Sequence, residues 1–240
     1  MKMKPVATRI VFFAGALVGG VPAVHAQTGA DESWQFELSP YLWLAGTDGT
    51  TRVGSISSES SADFTDLINK VDLGAMGAFE ARKGRWSVLF DGMYSRISDS
   101  SDDVNVKITQ QIYALAGAWR AIDGAASVDL LGGMRYNYLK PTIETATARA
   151  SEKLEALDPL IGIRATLRLS PRWSLVGHAD VGTFKGSDYS WQALIGAQYL
   201  ISDTLTMKFG YRHYKIKYSK DDFEFDNAMH GIYLGAGYRF

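Results

Sequence analysis

The C-terminal stretch AMHGIYLGAGYRF, residues 228–240, alternates between two kinds of side chain. Ile232, Leu234, Tyr238 and Phe240 share one parity, while the other parity carries mainly glycine, tyrosine and arginine. Because successive side chains of a β-strand point to opposite faces, this period of two predicts a strand with one apolar face and one small or polar face. In a membrane-spanning barrel the apolar face points to lipid and the other face points to the lumen.

The same alternation recurs upstream, and aromatic residues stand toward the strand ends, as a belt at the membrane interface requires. Tight turns alternate with looser connections, which is typical of short periplasmic turns and longer outer loops. The pattern predicts an all-β fold, a ten-stranded antiparallel up-and-down transmembrane β-barrel. The predicted strands are residues 33–45, 72–82, 86–97, 104–121, 126–141, 157–169, 173–184, 189–201, 205–218 and 227–240. Eight strands is the main alternative, and twelve strands would need an extra hairpin at residues 50–58.

The first outer loop contains the stretch DFTDLINK, residues 63–70. Phe64, Leu67 and Ile68 recur at helical spacing. Asp63 stands where it can cap the start of a helix. We predict a short helix in this loop, and an ordinary loop turn is the alternative.

The first 26 residues have the layout of a secretory signal peptide. A basic start precedes an apolar stretch at residues 10–21, and a small-residue cleavage site ends at Ala26. A membrane anchor is the alternative, although the apolar run is short and rich in glycine for a spanning helix. We expect residues 1–26 to be removed and residues 27–240 to form a barrel domain in the bacterial outer membrane.

The composition agrees with an exported barrel and excludes several classes of protein. The chain has no cysteine, so disulfides cannot stabilise it, while aromatic residues make up 12% and glycines number 24. Removing the signal segment lowers the formal net charge from −1 to −4, a mild acidity that does not indicate a nucleic-acid partner. No later segment approaches 18 consecutive apolar residues, so no transmembrane helix is expected.

The closing string GIYLGAGYRF resembles the C-terminal signal of outer-membrane barrel proteins, which the barrel-assembly machinery recognises. The matching residues are Ile232, Leu234, Tyr238 and Phe240, with a small Ala236 between them. More of the chain is similar to a family of uncharacterised proteobacterial outer-membrane β-barrel proteins, porin-like small barrels. The similar stretches are residues 39–50, 63–94, 172–182 and 190–203. The resemblance implies fold and location, and it transfers no activity and no functional residue.

The inward parity of the predicted strands carries six acidic and seven basic residues. They are Glu37, Glu80, Asp91, Asp129, Asp158, Asp180, Lys107, Arg135, Arg164, Arg168, Lys208, Arg212 and Arg239. Because unpaired charges in a narrow interior are costly, we predict a salt-bridge network that fills the lumen. About ten strands enclose an interior that side chains can fill, which argues against a wide pore. A narrow selective channel lined by the same charges is the alternative.

Three histidines follow the signal segment: His178, His213 and His230. His213 and His230 are predicted in the outer halves of the last two strands, on either side of an acidic loop. A histidine paired with a carboxylate there could act as a general base, which is the enzymatic alternative. The spacing is not diagnostic of a metal site, and we expect no catalytic residue, metal or cofactor.

The leading functional hypothesis is a non-enzymatic integral outer-membrane protein, either structural or passing small solutes at a low rate. Outer-membrane lipid, lipopolysaccharide and the barrel-assembly machinery are the expected partners. The second hypothesis is a surface protein that acts through the outer loops at residues 46–71 and 219–226. The third is a hydrolase at the outer rim that uses His213 or His230.

Overall fold

The computed structural model describes residues 33–53, 56–68, 71–100, 104–145, 147, 149–151, 153–183, 187–220 and 223–240. These residues all lie in the compact unit Asp31–Phe240. The predicted signal segment at residues 1–26 lies outside the described residues. No helix within the described ranges is long and apolar enough to cross a bilayer.

The described residues form twelve strands and one short helix. They are β1 (Gln35–Val53), β2 (Ile56–Ala62), α1 (Phe64–Ile68), β3 (Val71–Lys83), β4 (Trp86–Ser100), β5 (Val104–Ile122), β6 (Ala126–Thr145), β7 (Arg149–Ser151), β8 (Leu154–Arg168), β9 (Trp173–Gly182), β10 (Tyr189–Leu200), β11 (Leu205–Lys220) and β12 (Phe223–Arg239). Ten of these strands, all except β2 and β7, form a ring of antiparallel neighbours, which β12 closes by pairing with β1. The predicted ten-stranded antiparallel barrel is confirmed.

The ring closes through the last residue of the chain, at the end that the sequence predicts to face the periplasm. The Phe36 amide donates to the Phe240 carbonyl at 3.2 Å, and the Phe240 amide donates to the Phe36 carbonyl at 3.0 Å. The Phe36 and Phe240 rings stack with centroids 5.7 Å apart. Ile232, Leu234 and Tyr238 lie on the same outer face as Phe240, and all four side chains are exposed.

Strand β8 shows how the two parities divide. Alternate residues from Leu154 to Leu160 are buried, and the residues between them are exposed. Farther along, Ile161 is 70% exposed, and Ile195 of β10 is 71% exposed. Large apolar side chains with this exposure suit contact with lipid. The outer surface of the ring therefore faces the bilayer, and the opposite parity lines the lumen.

Several strands are longer than a bilayer requires. Strands β5 and β6 have 19 and 20 residues, whereas about 9–11 tilted residues cross the hydrocarbon core. Their outer ends therefore project beyond the membrane. There β2 pairs with β1 from Thr47↔Ala62 to Val53↔Ile56. This hairpin stays outside the ring, so the described residues do not form the twelve-stranded alternative.

The outer ends of the first and last strands also extend beyond their predicted bounds. β1 continues to Val53 rather than ending at residue 45, and β12 begins at Phe223 rather than residue 227. The two strands pair as far as Val53↔Phe223. Their outer ends are mostly polar, so backbone hydrogen bonds hold them together without the apolar alternation that predicts a strand.

The predicted short helix in the first outer loop is confirmed at α1. The Asp66 amide donates to the Asp63 carbonyl at 3.0 Å, and the Asp63 amide donates to the Asp66 carboxylate at 3.3 Å. A Cβ built on Gly46 of β1 would lie 3.5 Å from the Asp63 Cα and 3.6 Å from the Phe64 nitrogen. The start of α1 therefore packs directly against the β1 backbone. Residues 69 and 70 of the predicted helix lie outside the described residues.

Candidate functional site

The lumen is the candidate site, because charged and polar side chains from most strands of the ring converge there. It has two regions that differ in chemistry. The polar half, toward the periplasm, holds ionic and hydrogen-bonded groups: Glu37, Glu80, Asp91, Asp129, Asp180 and their partners. The apolar half, toward the outside, holds a buried cluster: Trp43, Met93, Ile112, Tyr214, Ile216 and Tyr233.

The polar half begins with two carboxylates shared by three arginines. Asp129 accepts hydrogen bonds from Arg82 at 3.0 Å, Arg120 at 2.9 Å and Arg164 at 2.7 Å. Arg82 and Arg164 also donate to Glu80, each at 2.8 Å. These residues come from β3, β5, β6 and β8. Charge-assisted bonds of this kind make burial tolerable, and here they connect four strands across the lumen.

A second ionic group joins the strands where the ring closes. Lys208 of β11 contacts the carboxylate of Glu37 of β1 and donates to the Ser39 hydroxyl at 2.8 Å. Arg239 of β12 donates to Glu37 at 3.3 Å and stays half exposed at the periplasmic opening. The pairing therefore ties β1, β11 and β12 together on the lumen side of the closure.

Arg212 is the centre of a network that crosses the lumen. It donates to the Tyr41 hydroxyl at 2.9 Å, to the Asp91 carboxylate at 2.9 Å and to the Gln192 side-chain oxygen at 3.1 Å and 2.8 Å. The Tyr41 hydroxyl in turn donates to Asp91 at 3.0 Å. Because Tyr41, Asp91 and Gln192 lie on β1, β4 and β10, one guanidinium on β11 links separate parts of the wall.

The network continues from Gln192 toward β6. The Gln192 amide nitrogen donates to Asp180 of β9, and Arg135 of β6 pairs with the same carboxylate. His178 places its Nε2 atom 2.7 Å from Asp180. Arg135 is only 1% exposed and also donates to the Ser190 hydroxyl at 3.4 Å. A continuous chain of contacts therefore runs from β11 to β6 through the interior.

Asp158 forms a separate contact with an outer connection. Its side chain is fully buried and accepts hydrogen bonds from the Ser187 amide at 2.8 Å and the Ser187 hydroxyl at 2.7 Å. Ser187 lies between β9 and β10, outside both strands. Ser187 therefore supplies two hydrogen bonds to a carboxylate whose burial would be costly without partners.

The apolar half begins where the crossing network ends. The Arg212 guanidinium carbon lies 4.9 Å from the centroid of the Trp43 ring, and the Arg135 guanidinium carbon lies 5.3 Å from that of Tyr214. Cation–π contacts therefore join the two halves. Tyr214 is 1% exposed, and its hydroxyl donates to the Asn137 side chain at 2.5 Å.

A cavity of about 220 Å³ lies within the polar half. Glu80 and Arg164 line one part, and Asp91, Arg212 and Gln192 line another. Small apolar side chains, among them Ala114, Ala116, Leu131 and Val176, complete the wall. The space is large enough to hold several waters.

Two of the thirteen predicted lumen charges lie elsewhere. Lys107 shares the parity of Leu115 on the outer face of β5, is exposed, and places its ammonium 4.0 Å from the Glu144 carboxylate. It is therefore outside the lumen, contrary to the prediction, because the inward parity of β5 runs through Ala116 and Ile112. Arg168 has the inward parity, but it is exposed at the periplasmic end of β8.

Sequence reasoning missed several polar residues of the lumen, among them Arg82, Arg120, Tyr41 and Gln192. Arg82 stands two residues from Glu80, and Arg120 stands two residues from the buried Ala118. Strict application of the parity would have found both arginines. Tyr41 and Gln192 are uncharged, and a search limited to charges passes over them.

The structure brings His213 and His230 together on the outer face of the barrel. Their rings stack with centroids 5.9 Å apart, and the His213 ring stacks on Trp191 at 4.7 Å. His230 Nδ1 lies 3.7 Å from the Asp48 carboxylate. Within the described part of the chain, no group of three or more histidine, aspartate or glutamate residues could hold a metal ion.

The chain is similar to several solved structures, of which that of OmpT supports this architecture. The outer membrane protease OmpT from Escherichia coli is 10% identical, with a TM-score of 0.63 over 87% of this chain and 97% of that chain. The translocator domain of the autotransporter NalP from Neisseria meningitidis is 15% identical, with a TM-score of 0.45 over 87% and 89%. Ail from Yersinia pestis is 14% identical, with a TM-score of 0.40 over 87% and 99%. At 10% identity, the likeness to OmpT concerns the fold alone.

Among curated proteins, no sequence matches this chain. Residues 15–240, however, match the family described as the outer membrane protein beta-barrel domain. The match includes all of the strands of the ring and the terminal Phe240. The chain therefore belongs to the outer membrane protein beta-barrel domain family and is a protein of the bacterial outer membrane.

Proposed function

We propose that this chain is a non-enzymatic, structural protein of the outer membrane whose lumen is closed to solutes. The observation that carries the proposal is the contact chain from Arg212 through Gln192 and Asp180 to Arg135. These contacts follow β11, β10, β9 and β6 along the wall, and Arg212 also reaches across the lumen to Asp91 of β4, next to the buried apolar cluster. A solute would have to separate the ionic groups and then the packed side chains.

Energetics favour a closed barrel over a narrow channel. Removing one partner of a buried ion pair costs about 3–5 kcal/mol, and each 1.4 kcal/mol corresponds to about a tenfold change in population. A state in which the Arg135–Asp180 contact is broken is then populated at about 1% or less. The apolar half adds a second barrier, because an ion that passes it loses its hydration.

Conductance in planar bilayers tests the closed lumen. We expect the folded protein to give no steady conductance above the baseline. The double variant Arg212→Ala, Trp43→Ala removes the centre of the network and the ring above it, and we expect it to conduct. The control variant Leu115→Ala changes an exposed, lipid-facing residue and should stay silent. Steady, large conductance by the unaltered protein would reject the proposal.

The placement of the rim histidines supports a non-enzymatic role. His213 and His230 stack beside Trp191 on the outer face, away from the lumen. The protease activity named for OmpT belongs to that protein, and a 10% identical fold carries no chemistry across. Replacing each histidine by alanine should leave any lipid- or peptide-cleaving activity of the purified protein at its starting level. Loss of such an activity in either variant would restore the hydrolase hypothesis.

One observation favours a second candidate, a surface protein that acts through its outer loops. The outer ends of β1 and β12 pair as far as Val53↔Phe223. With β2 on one side and β11 on the other, they form a four-stranded sheet beyond the ring. Replacing residues 51–58 with a tight turn would remove the outer pairs of the β2 hairpin, from Thr51↔Ser58 to Val53↔Ile56, and leave the ring intact. Unchanged envelope phenotypes and partner pull-downs would eliminate this candidate.

A further inference from the structure

Two neighbouring strands of the barrel wall separate in its outer half. The pairs between β1 and β3 run from Gln35↔Arg82 to Pro40↔Gly77 and then stop. Farther out, residues 41–46 of β1 keep their partners in β12, and residues 73–76 of β3 keep theirs in β4. Among the residues that the structure describes, these two segments do not pair with each other. We call the opening between residues 41–46 and residues 73–76 the seam.

The sequence explains why the wall parts at this point. Pro40 has no N–H to donate, and the β1–β12 ladder also omits Ser39 and Pro40. Beyond Pro40, β1 follows β12 outward as far as Val53. The segment that leads from β1 back to β3 forms β2 and α1. The start of α1 packs beside Gly46 at the outer end of the seam. Within the described part of the chain, β3 therefore keeps β4 on one side and has no paired strand on its β1 side above Gly77.

Exposure along β3 shows that the seam is open. Leu73, Gly74 and Ala75 are all exposed, although consecutive residues of a strand point to opposite faces. In the continuous wall, as in β8, exposed residues alternate with buried ones. Both the inner and the outer face of β3 are therefore exposed at residues 73–75. On the other side of the seam, Leu42 is 63% exposed.

The seam leads from the bilayer to the apolar half of the lumen. Tyr41, Ala45 and Met76 border it on the inside, and all three pack against the cluster that contains Trp43 and Met93. The ionic contacts of Glu80 and Asp129 lie farther toward the periplasm. An apolar chain that enters the seam would therefore meet Ala45, Met76 and the Tyr41 ring without crossing the contacts of Glu80 and Asp129, while the Tyr41 hydroxyl binds Arg212 and Asp91.

The unpaired strand edges impose a second requirement on the occupant. Backbone N–H and C=O groups exposed to hydrocarbon are costly unless they find hydrogen-bonding partners. A plain hydrocarbon chain offers none, and a phospholipid ester offers acceptors only. The amide-linked hydroxyacyl chains of lipopolysaccharide carry N–H and O–H donors beside a long apolar tail. They can therefore satisfy strand carbonyls and cover the cluster at once.

Charge at the outer end of the seam favours the same lipid. Arg96 of β4 is directly opposite Leu73 of β3 and is exposed on the outer face. Its guanidinium donates to the Tyr94 hydroxyl at 2.9 Å, which holds it near the surface. A guanidinium in this position matches the geometry of a lipid phosphate.

We propose that the seam binds an acyl chain of lipopolysaccharide from the outer leaflet. The chain lies between β1 and β3 against Tyr41, Ala45 and Met76. Its polar linkage meets the free strand edges, and a phosphate reaches Arg96. The site borders the apolar half of the lumen but does not require the lumen to be closed, so a conducting barrel would overturn the proposed function without by itself overturning this proposal.

Single-cysteine spin labels test the proposal cleanly, because the chain has no native cysteine. Ala75→Cys places a nitroxide at the seam. Ala193→Cys places it on an equally exposed, lipid-facing alanine that is paired on both sides, with Ala179 and with His213. Both proteins are reconstituted in phosphatidylcholine vesicles with increasing lipopolysaccharide. We expect lipopolysaccharide to slow the label at residue 75 at least threefold and to leave the label at residue 193 nearly unchanged.

Arg96→Gln in the Ala75→Cys protein tests the phosphate contact. We expect the amount of lipopolysaccharide that gives half of the effect to rise several-fold, whereas Arg52→Gln, on the outer sheet, should not change it. Heat-modifiable gel mobility verifies that each variant is folded. If Arg96→Gln fails to fold, the comparison of the labels at residues 75 and 193 still tests whether lipopolysaccharide binds at the seam. Equal slowing at both labels, or full slowing by phosphatidylcholine alone, would overturn the proposal.

Discussion

The two halves of the lumen share one barrel and one parity of residues, yet they are filled by opposite means. The polar half relies on directional contacts, such as the three arginines around Asp129. The apolar half relies on packing, with Trp43, Met93 and Ile112 almost completely buried. A barrel interior must be filled, and its buried polar groups must find partners. At a given distance along the barrel axis, either a salt-bridge network or packed apolar side chains can fill it.

The boundary between the halves is itself a structural element. Arg212 and Arg135 each present a charged edge to carboxylates and a guanidinium face to an aromatic ring. Arginine suits this position because its planar group both hydrogen-bonds and stacks. A lysine would keep the charge and lose the stacking surface.

The largest expected effect tests the polar half. Asp129→Ala leaves Arg82, Arg120 and Arg164 close together without their shared carboxylate. We expect the free energy of unfolding to fall by about 3–5 kcal/mol, the usual loss when a buried ion pair is broken. Urea unfolding in lipid vesicles measures it. Asp129→Asn keeps an acceptor and should cost less; an equal loss in both variants would contradict the role assigned to the charge.

The next effect tests the apolar half. Met93→Ala removes a side chain that is 2% exposed within the cluster. The cavity left behind should lower the free energy of unfolding by about 3 kcal/mol, the middle of the range for buried methionine. Met134→Ala, on the lipid-facing surface, is the matched control and should cost much less. Similar losses at the two positions would mean that the outer half is not a packed core.

A smaller effect tests how closely the Tyr233 side chain in the lumen packs against the backbone of the barrel wall. A Cβ at Gly196 would lie 2.6 Å from the Phe209 carbonyl oxygen and 3.1 Å from Cζ of the Tyr233 ring. Gly196→Ala should therefore lower the free energy of unfolding by about 1–3 kcal/mol through overpacking. Gly177→Ala, on the adjacent strand, has open space around its added carbon and is the control. A harmless Gly196→Ala would show that the Tyr233 ring can move aside.

The smallest effect concerns the sheet beyond the ring. Arg52 and Glu224 form an ion pair at 3.2 Å, with the arginine side chain more than half exposed. Arg52→Ala should change the free energy of unfolding by less than about 1 kcal/mol, because solvent screens such pairs. The difference should shrink further in high salt. A loss as large as that of Met93→Ala would place this sheet inside the cooperative core.

Much of the fold could be predicted because parity is a local property. Ile232, Leu234 and Tyr238 identify a lipid face within one strand, without reference to any neighbour. Lys107 shows where such reasoning fails: it stands among polar residues near the outer end of β5, where the alternation is weak. The apolar half was not predicted, because Met93 and Ile112 share the inward parity that a membrane barrel usually fills with polar groups.

The sequence by itself determined the strand succession, the lipid-facing parity and the closing role of Phe240, since these depend on residues two positions apart. Only the tertiary structure decided which arginines meet Asp129, where the polar half gives way to the apolar half, and where β1 leaves β3. Those features depend on the stagger of strands far apart in the chain. Arg82 and Arg164 are 82 residues apart, and the geometry of ring closure brings them to one carboxylate.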